Sequence, residues 1–200
     1  MQTVNVYLFS ELSEQAQQNA IEHASDNIDR WIGHDWHDPI LEGIHEDLGN
    51  CGIDGISVQY SGFWSQGDGL SFEGEVYDTE GFIDTIKSHL KKQGVSAAWL
   101  KKQDIGIRFD RSTSRYVHEK TVHVTVFTDG LNNPKLEQNL DKIEAAVDQW
   151  RLEKCYEFYN RLESYYDEIT GDKAIMAMLT DDDCTLWLEN GENFSKWLTH

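Results

Sequence analysis

The stretch from Ile56 to Val76, ISVQYSGFWSQGDGLSFEGEV, decides how this chain is read. Ile56-Ser57-Val58-Gln59-Tyr60 alternates apolar and polar residues with the period of a half-buried strand, and Leu70-Ser71-Phe72-Glu73-Gly74-Glu75-Val76 does the same. Between them Ser61 to Gly69 carries three glycines and the turn signal Gly67-Asp68-Gly69, which predicts a hairpin. Phe63 and Trp64 are unusual in such a loop. Two large rings in a turn gain something only by folding back onto the core or by stacking on a partner, and the sequence leaves both open.

Outward from the hairpin, Ile105–Phe109 and Val122–Phe127 alternate in the same way around a polar loop of residues 110–120, and short connections favour an antiparallel sheet. Val4–Phe9 reads as an opening strand. Ser10 reads as the cap of a helix whose apolar face runs Leu12, Ala16, Ala20, Ile21, Ala24, Ile28 and Trp31, stopped by Gly33. Asp35 or Asp38 caps a second helix with Pro39 in its first turn and Ile40, Leu41, Ile44 and Leu48 inward. Asp78 opens a third over Phe82, Ile83, Ile86 and Leu90 with Gly94 as its C-cap, and a shorter piece covers Ser96–Lys102.

Asn133-Pro134 begins the longest helix, with apolar positions from Leu136 to Ile169 and Lys154 as a candidate bend. Asp172 caps another helix, and a short closing one is expected around Phe194 and Trp197. The expected fold is a single α+β domain over residues 1–200: an antiparallel sheet of about four to five strands, helices packed on one face, and a long C-terminal helix.

Seven Trp, eight Tyr and eight Phe in 200 residues supply a core and argue against disorder. No window is long enough to span a membrane and no export signal opens the chain, so a cytoplasmic location is expected. Cys51, Cys155 and Cys184 form no CxxC pair and read as reduced, mostly buried thiols.

The net charge of −19 is unevenly spread. Residues 1–86 hold 17 acids and one base, Arg30; residues 87–123 hold nine bases and three acids; residues 124–200 hold seven bases and 16 acids. Acidity on this scale repels nucleic acid directly and favours a basic protein partner, with Glu42, Glu46, Asp47, Glu73 and Glu75 as candidate contact residues. The ordinary alternative is a surface acidic for solubility.

Arg108, Arg111 and Arg115 followed by Tyr116-Val117-His118-Glu119 form the most basic patch. With Phe63, Trp64 and Asp68 they are candidates to frame an anionic or nucleotide ligand, the rings stacking on a base and the guanidinium groups holding phosphate. His118 with Glu119 is also a candidate acid–base pair, while the plainer reading pairs these arginines with the chain's own acids. The His34-Asp35-Trp36-His37-Asp38 cluster with His45 is the best metal candidate, yet it matches no established ligand spacing and reads more simply as a helix cap with surface histidines. No motif implies a cofactor or assigns an enzyme activity.

Phe9-Ser10-Glu11-Leu12-Ser13 followed by Ala16 and Ala20-Ile21, the loop SGFWSQGDG with Phe72, Tyr116-Val117-His118-Glu119 and the late Tyr165–Ile175 run resemble a family of bacteriophage-encoded proteins, sometimes labelled antitoxins of a toxin–antitoxin stability system. The resemblance implies a phage origin and hence the host bacterial cytoplasm; it carries over no catalytic residues. Together with the acidity it leads to an expected counter-defence role: inhibition of a basic host immune or nucleic-acid-handling protein, in one version as a DNA mimic. A nucleotide sponge or nucleotide-degrading enzyme, and a structural role in the virion, are the alternatives.

Overall fold

The computed structural model describes residues 4–112, 116–128 and 133–194. In chain order they form α1 (Glu14–Ser25), α2 (Asp29–Ile32), α3 (Asp38–Asn50), β1 (Ile53–Tyr60), β2 (Leu70–Val76), α4 (Thr79–Thr85), α5 (Lys87–Lys92), α6 (Ala97–Leu100), β3 (Gly106–Arg111), β4 (Val122–Phe127), α7 (Pro134–Glu137), α8 (Leu140–Thr170) and α9 (Asp172–Asp181). They fall into two compact units, one from Asp38 to Glu163 and one made of the residues before and after that span. Among the described residues no helix is long and apolar enough to cross a membrane.

The Asp38–Glu163 unit is built on a four-stranded antiparallel sheet in the order β1-β2-β3-β4, as the alternating segments predict. Val58 faces Phe72, Gly74 faces Phe109, and Phe109 faces Val124, so these residues share one face. On that face Phe72, Phe82 of α4, Phe109 and Trp150 of α8 pack ring to ring, with Trp150 standing edge-on to Phe82 at 5.0 Å. On the opposite face Glu75 lies beside Arg108, whose guanidinium sits 5.4 Å over the Phe127 ring. Gly106 pairs with Phe127, and a Cβ there would lie 2.2 Å from that ring.

Several local expectations are corrected. Val4–Phe9 is not a strand; only Tyr7 pairs, exchanging two backbone bonds of 2.9 Å with Trp187. Ser10 lies within a 3₁₀ turn that buries Phe9 and Leu12, and the cap of α1 is Ser13, whose hydroxyl accepts from Ala16 N at 3.3 Å. The helical face expected to reach Trp31 breaks after Ser25, where the Asn27 side chain takes the His23 carbonyl at 2.8 Å. The helix after Asp78 is two helices meeting at Ile86, although Phe82, Ile83, Ile86 and Leu90 are all buried as expected. Asn133 caps only the short α7.

The long helix starts at Leu140 and runs through Lys154 without a break. Lys154 is accommodated by lying 5.6 Å over Phe158 and pairing with Glu157 at 2.7 Å. Asp172 is the first residue of α9, behind a Gly171 cap without a side-chain bond. The expected closing helix lies mostly outside the described residues. In the other unit Phe9, Leu12, Ala16, Ala20, Ile21, Ala24, Ile175, Leu179 and Trp187 form the core, and Trp31 stacks on Trp187 at 6.2 Å.

The thiols differ from one another. Cys155 is buried and burial pushes its pKa up to about 12, Cys51 is half-buried, and Cys184 is exposed, against the expectation of mostly buried thiols. Alkylation of the native protein at pH 8 should therefore label Cys184 first and reach Cys155 only in denaturant, which peptide mass mapping checks.

Candidate functional site

The Ser61–Gly69 loop is braced from four sides. Ser61 N donates to Gly69 O at 3.0 Å, Gly69 N donates to Ser61 Oγ at 3.2 Å, and that hydroxyl donates to Val117 O at 3.0 Å. The Asp68 carboxylate accepts from Ser65 N at 2.7 Å while Asp68 N donates to Ser65 O at 3.1 Å. From α8 the Tyr159 hydroxyl donates to Gly62 O at 3.0 Å. Gly69 is held so close to the neighbouring segment that a Cβ would sit 2.8 Å from His118 Cβ, a distance only glycine tolerates.

The two adjacent rings part company in this frame. Phe63 is buried, stacked against Tyr60 at 6.3 Å and Tyr159 at 5.5 Å. Trp64 is 72% exposed with φ +70°, the one non-glycine residue with positive φ among the described residues. A bulky residue in the left-handed region costs about 1–2 kcal/mol, and such strain concentrates at functional sites. Tyr116, also exposed, lies across Gly67, where a Cβ would be 3.4 Å from its Cδ1.

Of the expected ligand-binding residues, the fold gathers Phe63, Trp64, Asp68, Tyr116 and His118 around this loop. It does not add the arginines as one patch. Arg108 and Arg111 are three apart on β3 and so face opposite sides of the sheet. Arg108 donates to Glu75 Oε2 through Nε at 3.2 Å and Nη2 at 3.0 Å, whereas Arg111 stands opposite Val122 with its Nη1 buried and without a hydrogen-bond partner. Arg115 lies outside the described residues. His118 Nδ1 accepts from Lys120 N at 3.1 Å and Glu119 Oε1 accepts from the Tyr156 hydroxyl at 3.1 Å, so both are used in holding the segment.

Tyr156 and Tyr159 were absent from the expected site. Their spacing of three on a helix puts them on one face, beside the buried stripe of Phe158 and Leu162. Burial and then the charges of Asp68 and Glu163 raise the Tyr159 pKa, and the bond to Glu119 raises that of Tyr156.

The candidate acidic contacts also divide. Glu42 and Glu46 are exposed one turn apart on α3, on the side that carries His45. Asp47 is paired with Arg161, Glu73 accepts from Arg111 N at 3.1 Å, and Glu75 holds Arg108. No group of three or more His, Cys, Asp or Glu side chains is arranged to hold a metal among the described residues.

Comparison with curated proteins and with solved structures returns no match. A family model described as Domain of unknown function (DUF8835) matches residues 36–172, a span that takes in the sheet, the braced loop and all of α8, and the chain belongs to that family.

Proposed function

We propose that this protein is a phage-encoded accessory protein of the host bacterial cytoplasm that binds and inhibits a basic host protein, one that handles nucleic acid or acts in immunity, through an acidic surface. The observation that carries the reading is the charge of the first 86 residues, 17 acids against one base, together with Glu42 and Glu46 left exposed and without an ion pair among the described residues. Residues four apart on a helix rise about 6 Å, so Asp38, Glu42 and Glu46 set carboxylates at regular intervals along α3, the arrangement a DNA mimic needs. Bases from later in the chain neutralise part of this half, Arg108 pairing with Glu75, Lys101 with Asp84 and Glu80, and Arg161 with Asp47, and Glu42 and Glu46 stand outside these pairs.

The partner captured from bacterial lysate by the tagged chain should be released between about 0.1 and 0.5 M salt, because exposed charges are screened over that range. The double variant Glu42→Gln/Glu46→Gln should bind that partner roughly tenfold more weakly with the melting temperature unchanged, since both positions are on the surface. Capture indifferent to salt and to both substitutions overturns the reading. The nucleotide alternative draws support from the exposed Trp64 and Tyr116 and loses it from the opposed arginines.

A further inference from the structure

Among the described residues six large apolar side chains are exposed, and three of them, Trp64, Tyr116 and Tyr156, belong to one neighbourhood. Tyr116 covers Gly67 of the Trp64 loop, Glu119 accepts from Tyr156 and reaches that loop so closely that a Cβ added at Gly69 would lie 3.3 Å from its Oε2, and Tyr159 ties Gly62 to the helix that bears Tyr156. Exposed Trp and Tyr on a rigid support are the residues that carry binding energy at protein interfaces. The buried Phe63 beneath Trp64 and the hydrogen bonds across the loop keep the strained backbone in place, so the indole is presented without an ordering cost at binding.

The charges around the rings select the occupant. Asp68 belongs to the Trp64 loop and Glu119 accepts from the Tyr156 hydroxyl, and among the described residues Lys120 stands against them, exposed on the segment that carries Tyr116. Aromatic faces attract cations, and carboxylates at the rim add to that attraction while opposing a phosphate. We infer that Trp64, Tyr116 and Tyr156 form a docking point for an arginine or lysine side chain of a protein partner, with Asp68 and Glu119 as its acidic rim. The inference rests on the proposed basic partner and adds where its side chain is gripped.

The test titrates the full chain with Gly-Arg-Gly, Gly-Glu-Gly and AMP at low salt, following the Trp64 indole N–H by NMR. The arginine peptide should move that signal with a dissociation constant on the order of millimolar, and the other two probes should leave it in place. The variant Trp64→Gly removes the ring and relieves the positive φ, so it should melt no lower than the parent while the remaining site, followed on the Tyr116 signals, binds the arginine peptide about fivefold more weakly. A response to AMP instead of the arginine peptide, no response to either, or undiminished binding by Trp64→Gly overturns the inference. If Trp64→Gly binds as the parent does while Glu42→Gln/Glu46→Gln loses the captured partner, the docking point fails and the acidic-surface reading stands. If the peptide is held at Trp64 but capture ignores salt, only the acidic-surface reading fails.

Discussion

Trp150→Ala is expected to lower the unfolding free energy by about 3–5 kcal/mol, seen as a lower urea midpoint with little change in slope. Trp150 is 3% exposed and stands at the meeting point of the sheet and two helices. Its ring lies 5.0 Å from Phe82, 6.0 Å from Phe109 and 6.3 Å from Phe72, and two of these contacts are edge-to-face. Alanine leaves a cavity lined by three rigid rings that cannot collapse into it, which places the cost high in the range for aromatic truncation. Against a typical total of about 5–15 kcal/mol, the loss threatens the fold itself. Trp150→Phe retains one ring and should cost about half as much. A cost below about 1 kcal/mol for alanine would mean that the aromatic cluster is not what joins α8 to the sheet.

The second large effect is expected at Arg151, which is 2% exposed. Its Nε and Nη2 donate to Asp148 Oδ1 at 2.9 and 2.6 Å, and its Nη1 donates to the Glu119 carbonyl. Arg151→Ala leaves that carbonyl without its donor and removes a buried side chain, which costs about 1–3 kcal/mol, while the Asp148 carboxylate, 44% exposed, stays solvated. The damage should be local as well as global. Thr121 donates to His118 O and its own carbonyl accepts from Ser112 N at 2.7 Å, so amide exchange at Ser112 and Thr121 should quicken before the sheet opens. Arg151→Lys should not restore it, because a single ammonium cannot supply the fork that reaches both partners. Since this segment carries Tyr116 and Glu119, the same variant should weaken the arginine peptide; unchanged exchange there would show that Arg151 serves only the core.

Much of the fold is legible in the residues. The alternation in Ile56–Tyr60, Leu70–Val76, Ile105–Phe109 and Val122–Phe127 defines four strands, and short links between them impose antiparallel neighbours in chain order. Asp78, Ser96 and Asn133 sit where their side chains accept from the third backbone N–H of a helix, as their types suggest. Where the reading failed, two local solutions were nearly equal. Ser10 and Ser13 are both good caps, and burial of Phe9 and Leu12 chose the second. Val4–Phe9 has strand-like residues, but a strand needs a partner, and Trp187 supplies only one pairing.

The candidate site divides in the same way. Gly67-Asp68-Gly69 announces a tight turn by its own conformational freedom, and Asp68 closes it through a bond three residues back. That Phe63 turns inward and Trp64 outward was not legible, because Tyr159, which packs on Phe63 and bonds Gly62, comes from 97 residues away. The same holds for charge. The sequence alone determined the strand pattern, the caps of three short helices and a chain overwhelmingly acidic at its start, since these depend on residue type and on neighbours a few positions away. Only the tertiary structure decided which acids are spent on Arg108, Arg111 and Arg161 and which, like Glu42 and Glu46, stay exposed, because a salt bridge or a ring contact depends on where distant segments meet.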